Sequence, residues 1–196
     1  MRIIPAIDIL HGKCVRLTQG DFAKAKIYNE EPLTVALQFQ DADLEYLHLV
    51  DLEGAKKGKV INWDVITELQ EKTALQIDFG GGVKTEEDVE RLLELDINQI
   101  NIGSLAITEP EKFTHWLDVY GAENFILGAD VRDENIMING WLEAARSIRL
   151  APLRCLSAIM RKPSAGSPCS KANSPNAMPS TSPPSFAIAR KSPTYC

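Results

Sequence analysis

The 196-residue chain is 44% apolar and carries a formal charge of −6, enough core material for one ordinary domain and the wrong sign for a general nucleic-acid binder. No apolar run approaches the roughly 20 residues that a membrane span needs, and the first residues lack the basic flank and cleavage site of a signal peptide. Cys14, Cys155, Cys169 and Cys196 form no CxxC pair, so neither a metal site nor a disulfide framework is expected, and a reducing cytoplasm is the expected setting.

In chain order, the first element is the strand "RIIPAIDI", apolar but for Arg2 and Asp8. A carboxylate taken from water without a partner costs several kcal/mol or gives up its charge. Asp8 is therefore expected to be paired or to stand where the strand opens into a cleft. Helical spacing follows in "EPLTVALQFQDA", with Leu33, Ala36, Leu37 and Phe39, then the strand "LEYLHLVDL", then the helix "NWDVITELQEK" with Val65, Ile66 and Leu69. "ALQIDFGGG" reads as a third strand running into three glycines. The clearest helix is "KTEEDVERLLELD". There Thr85 is placed to cap, Glu86, Glu87 and Asp88 suit the positive helix end, and Val89, Leu92 and Leu93 give a buried stripe. A fourth strand, "INQINIGS", precedes "TEPEKFTHWLDVYG", a helix expected to take Thr108 as its cap, Pro110 in its first turn and Gly121 as its stop. The fifth strand is "NFILGADV", after which "RDENIMI" reads as a small hairpin.

Strands and helices alternating at intervals of about 25–45 residues mark parallel βαβ units. Near-continuous hydrophobic strands fit a sheet covered on both faces. An open doubly wound sheet and a (β/α)8 barrel both satisfy the pattern, and periodicity does not choose between them.

Polar or glycine positions gather at the strand ends, where both architectures place their sites: Asp8 on the first, His48 and Asp51 on the second, Gly80–Gly82 on the third, Gly103 and Ser104 on the fourth, Asp130 on the fifth. Glycines there let backbone N–H groups approach a phosphate. A lone glycine cluster is more often a turn, but two neighbouring glycine-bearing ends favour the phosphate. "PAIDI" and "LGADV" use one local pattern twice, which makes Asp8 and Asp130 candidates for a base and an acid set apart by their environments. Singly, each is better explained by capping an amide or pairing with Arg16 or Arg132. His48 alone is more often structural, with Asp51 as a loop acid able to orient it. Trp141, in "NGWLE", is placed to stack on a flat ring, although a lone tryptophan more commonly packs.

Taken together, "IIPAIDILHGKCVRLTQGD", "YLHLVDLEGAKKG", "FGGGVKTEEDVERLL", "INIGSLA" and "GADVRDENIMINGWLE" resemble the phosphoribosylformimino-aminoimidazole-carboxamide ribotide isomerase family of histidine biosynthesis, continuously from Met1 to about Glu143. The sister cyclase shares the barrel and both aspartates, but its first motif usually reads Cys-Leu-Asp where this chain has "PAIDI". The resemblance implies a (β/α)8 TIM-barrel family fold and an Amadori rearrangement of an aminoaldose to an aminoketose, without metal or organic cofactor, on a small phosphorylated ribotide. Carried over, Asp8 matches the general base at the sugar C2 and Asp130 the general acid of ring opening. Gly82, Gly103 and Ser104 match one phosphate site, and His48 and Trp141 match substrate contacts, Trp141 by stacking. Lys84 stands where the family often has Arg, a point charge in place of a bidentate fork. A dual-substrate enzyme of the histidine and tryptophan pathways and a catalytically inactive half-barrel are the alternatives.

The likeness stops near a break in composition. All 27 acidic residues lie at or before Glu143, leaving residues 1–143 with 13 basic groups and a charge of −14, and residues 144–196 with +8. Eight of the 11 prolines follow Leu150, among many serines, a makeup that neither propagates helices nor buries much surface. The expected division is a partial barrel of about five βα units over 1–143 and an irregular basic tail over 144–196, of the kind a shifted reading frame produces. A complete barrel uses about 250 residues. The expectation is therefore an open edge available for self-association, and weakened substrate binding because the family's second phosphate site comes from later strands.

Overall fold

The computed structural model describes residues 3–18, 21–128, 131–132, 135–138, 143–147 and 186–187. Five parallel strands form its centre: β1 (Ala6–Leu10), β4 (Tyr46–Asp51), β5 (Gln76–Gly80), β6 (Gln99–Ile102) and β7 (Phe125–Gly128). Each is one of the five segments expected from sequence. Antiparallel β2 (Lys13–Thr18) and β3 (Asp21–Asn29) extend the sheet beyond β1, and the two-residue β11 (Phe186–Ala187) pairs with β7, giving the order β11-β7-β6-β5-β4-β1-β2-β3. The expected hairpin after the fifth strand is present as β8 (Val131–Arg132) and β9 (Asn135–Ile138), joined by β10 (Glu143–Ser147) in a separate antiparallel sheet. Of the tail, only Ala144–Ser147 and Phe186–Ala187 are described, so the division at residue 143 lies largely outside the described residues.

Strand order settles what periodicity left open. The parallel strands run β1, β4, β5, β6, β7 in chain order without a reversal, whereas a doubly wound sheet reverses at a switch point. Right-handed crossovers that always advance in one direction lay every helix on the same face, which is the winding of a barrel. The connecting helices are α1 (Pro32–Asp41), α2 (Leu52–Lys57), α3 (Trp63–Lys72), α4 (Glu86–Glu94), α5 (Ser104–Thr108) and α6 (Pro110–Tyr120). The sheet is open, not closed into a ring, among the described residues.

Among the described residues the helices cover one face only, which corrects the expectation of a sheet buried on both. Ile7, Ile9, Leu47, Leu49, Ile77, Phe79 and Ile100 are fully buried toward the helices, where Ile66, Leu69, Leu92 and Trp116 meet them. The residues between them, Asp8, His48, Asp78, Gln99 and Asn101, are only partly buried. The strands therefore alternate with period two.

Local chemistry explains the element ends. Thr85 caps α4 as expected: its hydroxyl accepts from the Asp88 amide at 3.1 Å and the Asp88 carboxylate accepts from the Thr85 amide at 3.1 Å, a complete capping box. Gly121, with φ +87°, ends α6. Thr108 does not cap α6. The unanticipated α5 occupies the residues before Pro110, so Thr108 is its last residue and donates its hydroxyl to the Ser104 carbonyl, while Glu109 precedes α6. The β1–β2 hairpin was also not anticipated, although "HG" between two alternating segments signals it. Leu10 pairs with Lys13 across a two-residue turn whose members, His11 (φ +53°) and Gly12 (φ +73°), both lie in the left-handed region that such a turn requires.

Candidate active site

Register across the parallel strands arranges the polar face in rows. Ala6, His48, Asp78 and Gln99 are successive partners, and the next row comprises Asp8, Val50, Gly80 and Asn101. Asp8 is the third of the five residues of β1, not its end, and His48 is likewise the third residue of β4. This resolves how an acid sits in an apolar run: Ile7 and Ile9 point into the helix layer and Asp8 points to the opposite, half-open face. The sequence brings Asp8 and His48 to one face as expected. Asp130 and Trp141 lie outside the described residues, and β7 ends at Gly128, two positions before Asp130.

Asp51 does not orient His48. Three residues further along β4, it faces the helix layer and is fully buried. Its Oδ1 accepts from the Gly54 amide at 2.8 Å and from Asn62 Nδ2 at 2.7 Å, and its Oδ2 from the amides of Ile61 at 2.8 Å and Asn62 at 3.0 Å. It thereby caps α2 and fixes the α2–α3 loop. That loop in turn holds the first hairpin, because Asn62 Oδ1 accepts from the Gly12 amide at 3.1 Å and Glu53 Oε2 accepts from the His11 amide at 2.9 Å. Burial works to raise the Glu53 pKa, but the His11 amide, the Lys57 ammonium and the His11 ring outweigh it and hold the carboxyl below its ordinary value. The carboxylate on His48 is instead Asp78, hydrogen-bonded to its Nδ1.

The glycines divide by cause. A Cβ on Gly81 (φ +113°) would lie 2.2 Å from the Asp51 carbonyl oxygen, and one on Gly82 (φ +87°) would lie 2.6 Å from the Lys59 backbone. The "GGG" turn is thus dictated by close passage over the β4–α2 and α2–α3 connections. Gly103 is different: a Cβ there meets only the Gly128 carbonyl at 3.6 Å, an ordinary contact, and its φ of −104° suits any residue. The fold leaves that position open. Ser104 opens α5 immediately after it.

Sequence reasoning missed two features of this face and a third beside it. Asp78 and Asn101 were hidden in segments read as near-continuous hydrophobic strands, although "QIDFG" and "QINI" alternate strictly. The Asn101 side chain lies over β7, so close that a Cβ on Gly128 would be 2.3 Å from its Oδ1. Tyr28 lies near Asp8: burial first, then Cys14, then the Asp8 charge push its hydroxyl up to about 12. Cys14, buried and hydrogen-bonded to Tyr28, is itself pushed up to about 11 by burial. Among the described residues, no group of three or more His, Cys, Asp or Glu is placed to hold a metal ion, and no helix is long and apolar enough to cross a membrane.

Comparison with known proteins gives this geometry its context. The family model described as histidine biosynthesis protein matches residues 2–154. Similar curated proteins are named 1-(5-phosphoribosyl)-5-((5-phosphoribosylamino)methylideneamino) imidazole-4-carboxamide isomerase. That of Flavobacterium psychrophilum is 51% identical over 146 residues, 74% of this chain and 61% of the relative. That of Flavobacterium johnsoniae is 51% identical over 143 residues, 73% and 60% of the two chains. That of Parabacteroides distasonis is 47% identical over 152 residues, 78% and 63%. The chain thus spans about 60% of the length of the curated relatives it matches. A barrel-type winding, a polar face carrying Asp8 and His48, and a family match over most of its length lead to one conclusion: this chain belongs to the histidine biosynthesis protein family.

Proposed function

We propose that the polar face belongs to an intramolecular aldose–ketose isomerase that rearranges a bis-phosphorylated aminoimidazole carboxamide ribotide. The observation that carries this reading is the position of Asp8, a half-buried carboxylate one register row from His48 on the face opposite the described helix layer, beside strand ends that finish in glycine. The isomerase names of the relatives support the same chemistry. In that reaction Asp130, as general acid, protonates the ribose ring oxygen, the bond from C1 to that oxygen breaks, and the nitrogen lone pair forms an iminium at C1. Asp8 then takes the proton from C2 and the electron pair shifts to give an enaminol; the proton returns from Asp8 to C1 while the C2 hydroxyl gives its proton to the Asp130 carboxylate, which yields the aminoketose and restores both side chains. A strand-borne carboxylate screened on one side by apolar packing is held in place without reorganisation.

Gly103 and Ser104 carry the phosphate in this proposal, since Gly103 leaves space for close approach, and Gly82 contributes from the neighbouring strand end. His48 contacts the substrate and Trp141 stacks on its imidazole ring. The cytoplasm is the compartment proposed, from the cysteine usage. Self-association belongs to the same proposal, through the edge strand β3, where Ile27 and Tyr28 are about half exposed. Light scattering checks it: a monomer at all concentrations rejects it. The catalytic reading is tested by ribotide turnover on the purified chain and on a version extended to the full length of its relatives. Asp8→Asn and Asp130→Asn are each expected to abolish isomerisation, and near-normal turnover in either removes that residue from its role.

A further inference from the structure

We propose that Asp78 is a positioning residue that fixes the tautomer and ring orientation of His48. The two are register partners on adjacent parallel strands, both on the polar face, with Nδ1 of His48 hydrogen-bonded to Oδ1 of Asp78. Their side chains are 31% and 13% exposed, so the carboxylate is the more enclosed partner and the ring the more open one. An ionised carboxylate only accepts. The shared proton therefore resides on Nδ1, and in the neutral ring Nε2 keeps its lone pair. A second group that locks an imidazole in this way sets which nitrogen is offered to a ligand.

Flanking positions sharpen the assignment. Asp8 stands on the same face one row further along, and Gln99, the next register partner after Asp78, is held by its own bond from Nε2 to the Glu123 carbonyl at 2.9 Å. Asp78 thus stands between His48 and Gln99 in its register row, with His48 as its hydrogen-bond partner. Nε2 of His48 then accepts a hydrogen bond from a hydroxyl of the sugar phosphate. That last step rests on the isomerase reading, while the Asp78–His48 pairing does not.

The test is nitrogen-15 NMR of the imidazoles in the full 196-residue chain at alkaline pH, where free histidine rings are neutral. The chain has three histidines, and His48→Gln assigns the relevant signals. Wild type is expected to show His48 with the proton on Nδ1 in a large majority of molecules. Asp78→Ala moves that population toward the Nε2–H form, and Asp78→Glu restores part of it. A wild-type ring that is mainly Nε2–H, which needs no variant to observe, overturns the proposal, as does an Asp78→Ala spectrum identical to wild type. Addition of the ribotide should shift the His48 Nε2 signal. An unmoved signal with the Nδ1–H form intact removes the substrate contact and leaves the pairing standing.

Discussion

Asp51→Ala tests whether the loops beneath the polar face are held by one buried carboxylate. The substitution removes the acceptor from three backbone amides, those of Gly54, Ile61 and Asn62, and from Asn62 Nδ2, at distances of 2.7–3.0 Å. A buried donor left without a partner costs about 1–3 kcal/mol. Three of the four donors are buried, which gives roughly 3 kcal/mol at the low end, even with a water reaching the part-buried Ile61 amide. That is a large share of the 5–15 kcal/mol typical of a domain. Asp51→Asn keeps one acceptor oxygen but turns an NH2 group toward donors, and is expected to cost about half as much. Urea unfolding followed by the fluorescence of fully buried Trp116 gives the difference in free energy. A loss under about 1 kcal/mol for Asp51→Ala refutes the reasoning, since it would mean the loops find other acceptors. The tautomer of His48 should be unchanged in Asp51→Asn, because the two side chains face opposite sides of the sheet.

Thr85→Ala breaks the capping box of α4 and is expected to cost about 1 kcal/mol in the same urea experiment; no measurable loss would show that the box is dispensable. Glu53, with its pKa held below the ordinary 4.5, contributes stability that is present above about pH 4.5 and lost as pH falls through its folded-state value. Glu53→Gln should therefore flatten that acid limb, and an unchanged pH profile would exclude the His11 and Lys57 contacts as its source. The Cys14 thiol, pushed up to about 11 by burial, should resist iodoacetamide at pH 9 in the native chain and react in urea. Peptide mapping reads this directly, and rapid native labelling would contradict the burial.

Some of this protein was legible residue by residue. The five parallel strands follow from short apolar runs punctuated by glycine and acid, and α4 follows from Thr85, its first-turn acids and its apolar stripe, all local properties. The roles of individual acids were not local. Asp51 and Asp78 look equivalent in the sequence, each inside or ending an apolar strand. Only the alternation of the pleat, with the register of neighbouring strands, sends Asp51 into the helix layer as a loop anchor and Asp78 onto the open face against His48. The same holds for the glycines. Composition cannot distinguish Gly81, which a crossing backbone forbids from bearing a side chain, from Gly103, which nothing obstructs. Periodicity determined that the chain builds parallel βα units, because hydrophobic burial needs only near neighbours. Which face each side chain meets, and whether the winding is that of a barrel or a doubly wound sheet, was decided by strand order, since that depends on contacts between residues far apart in the chain.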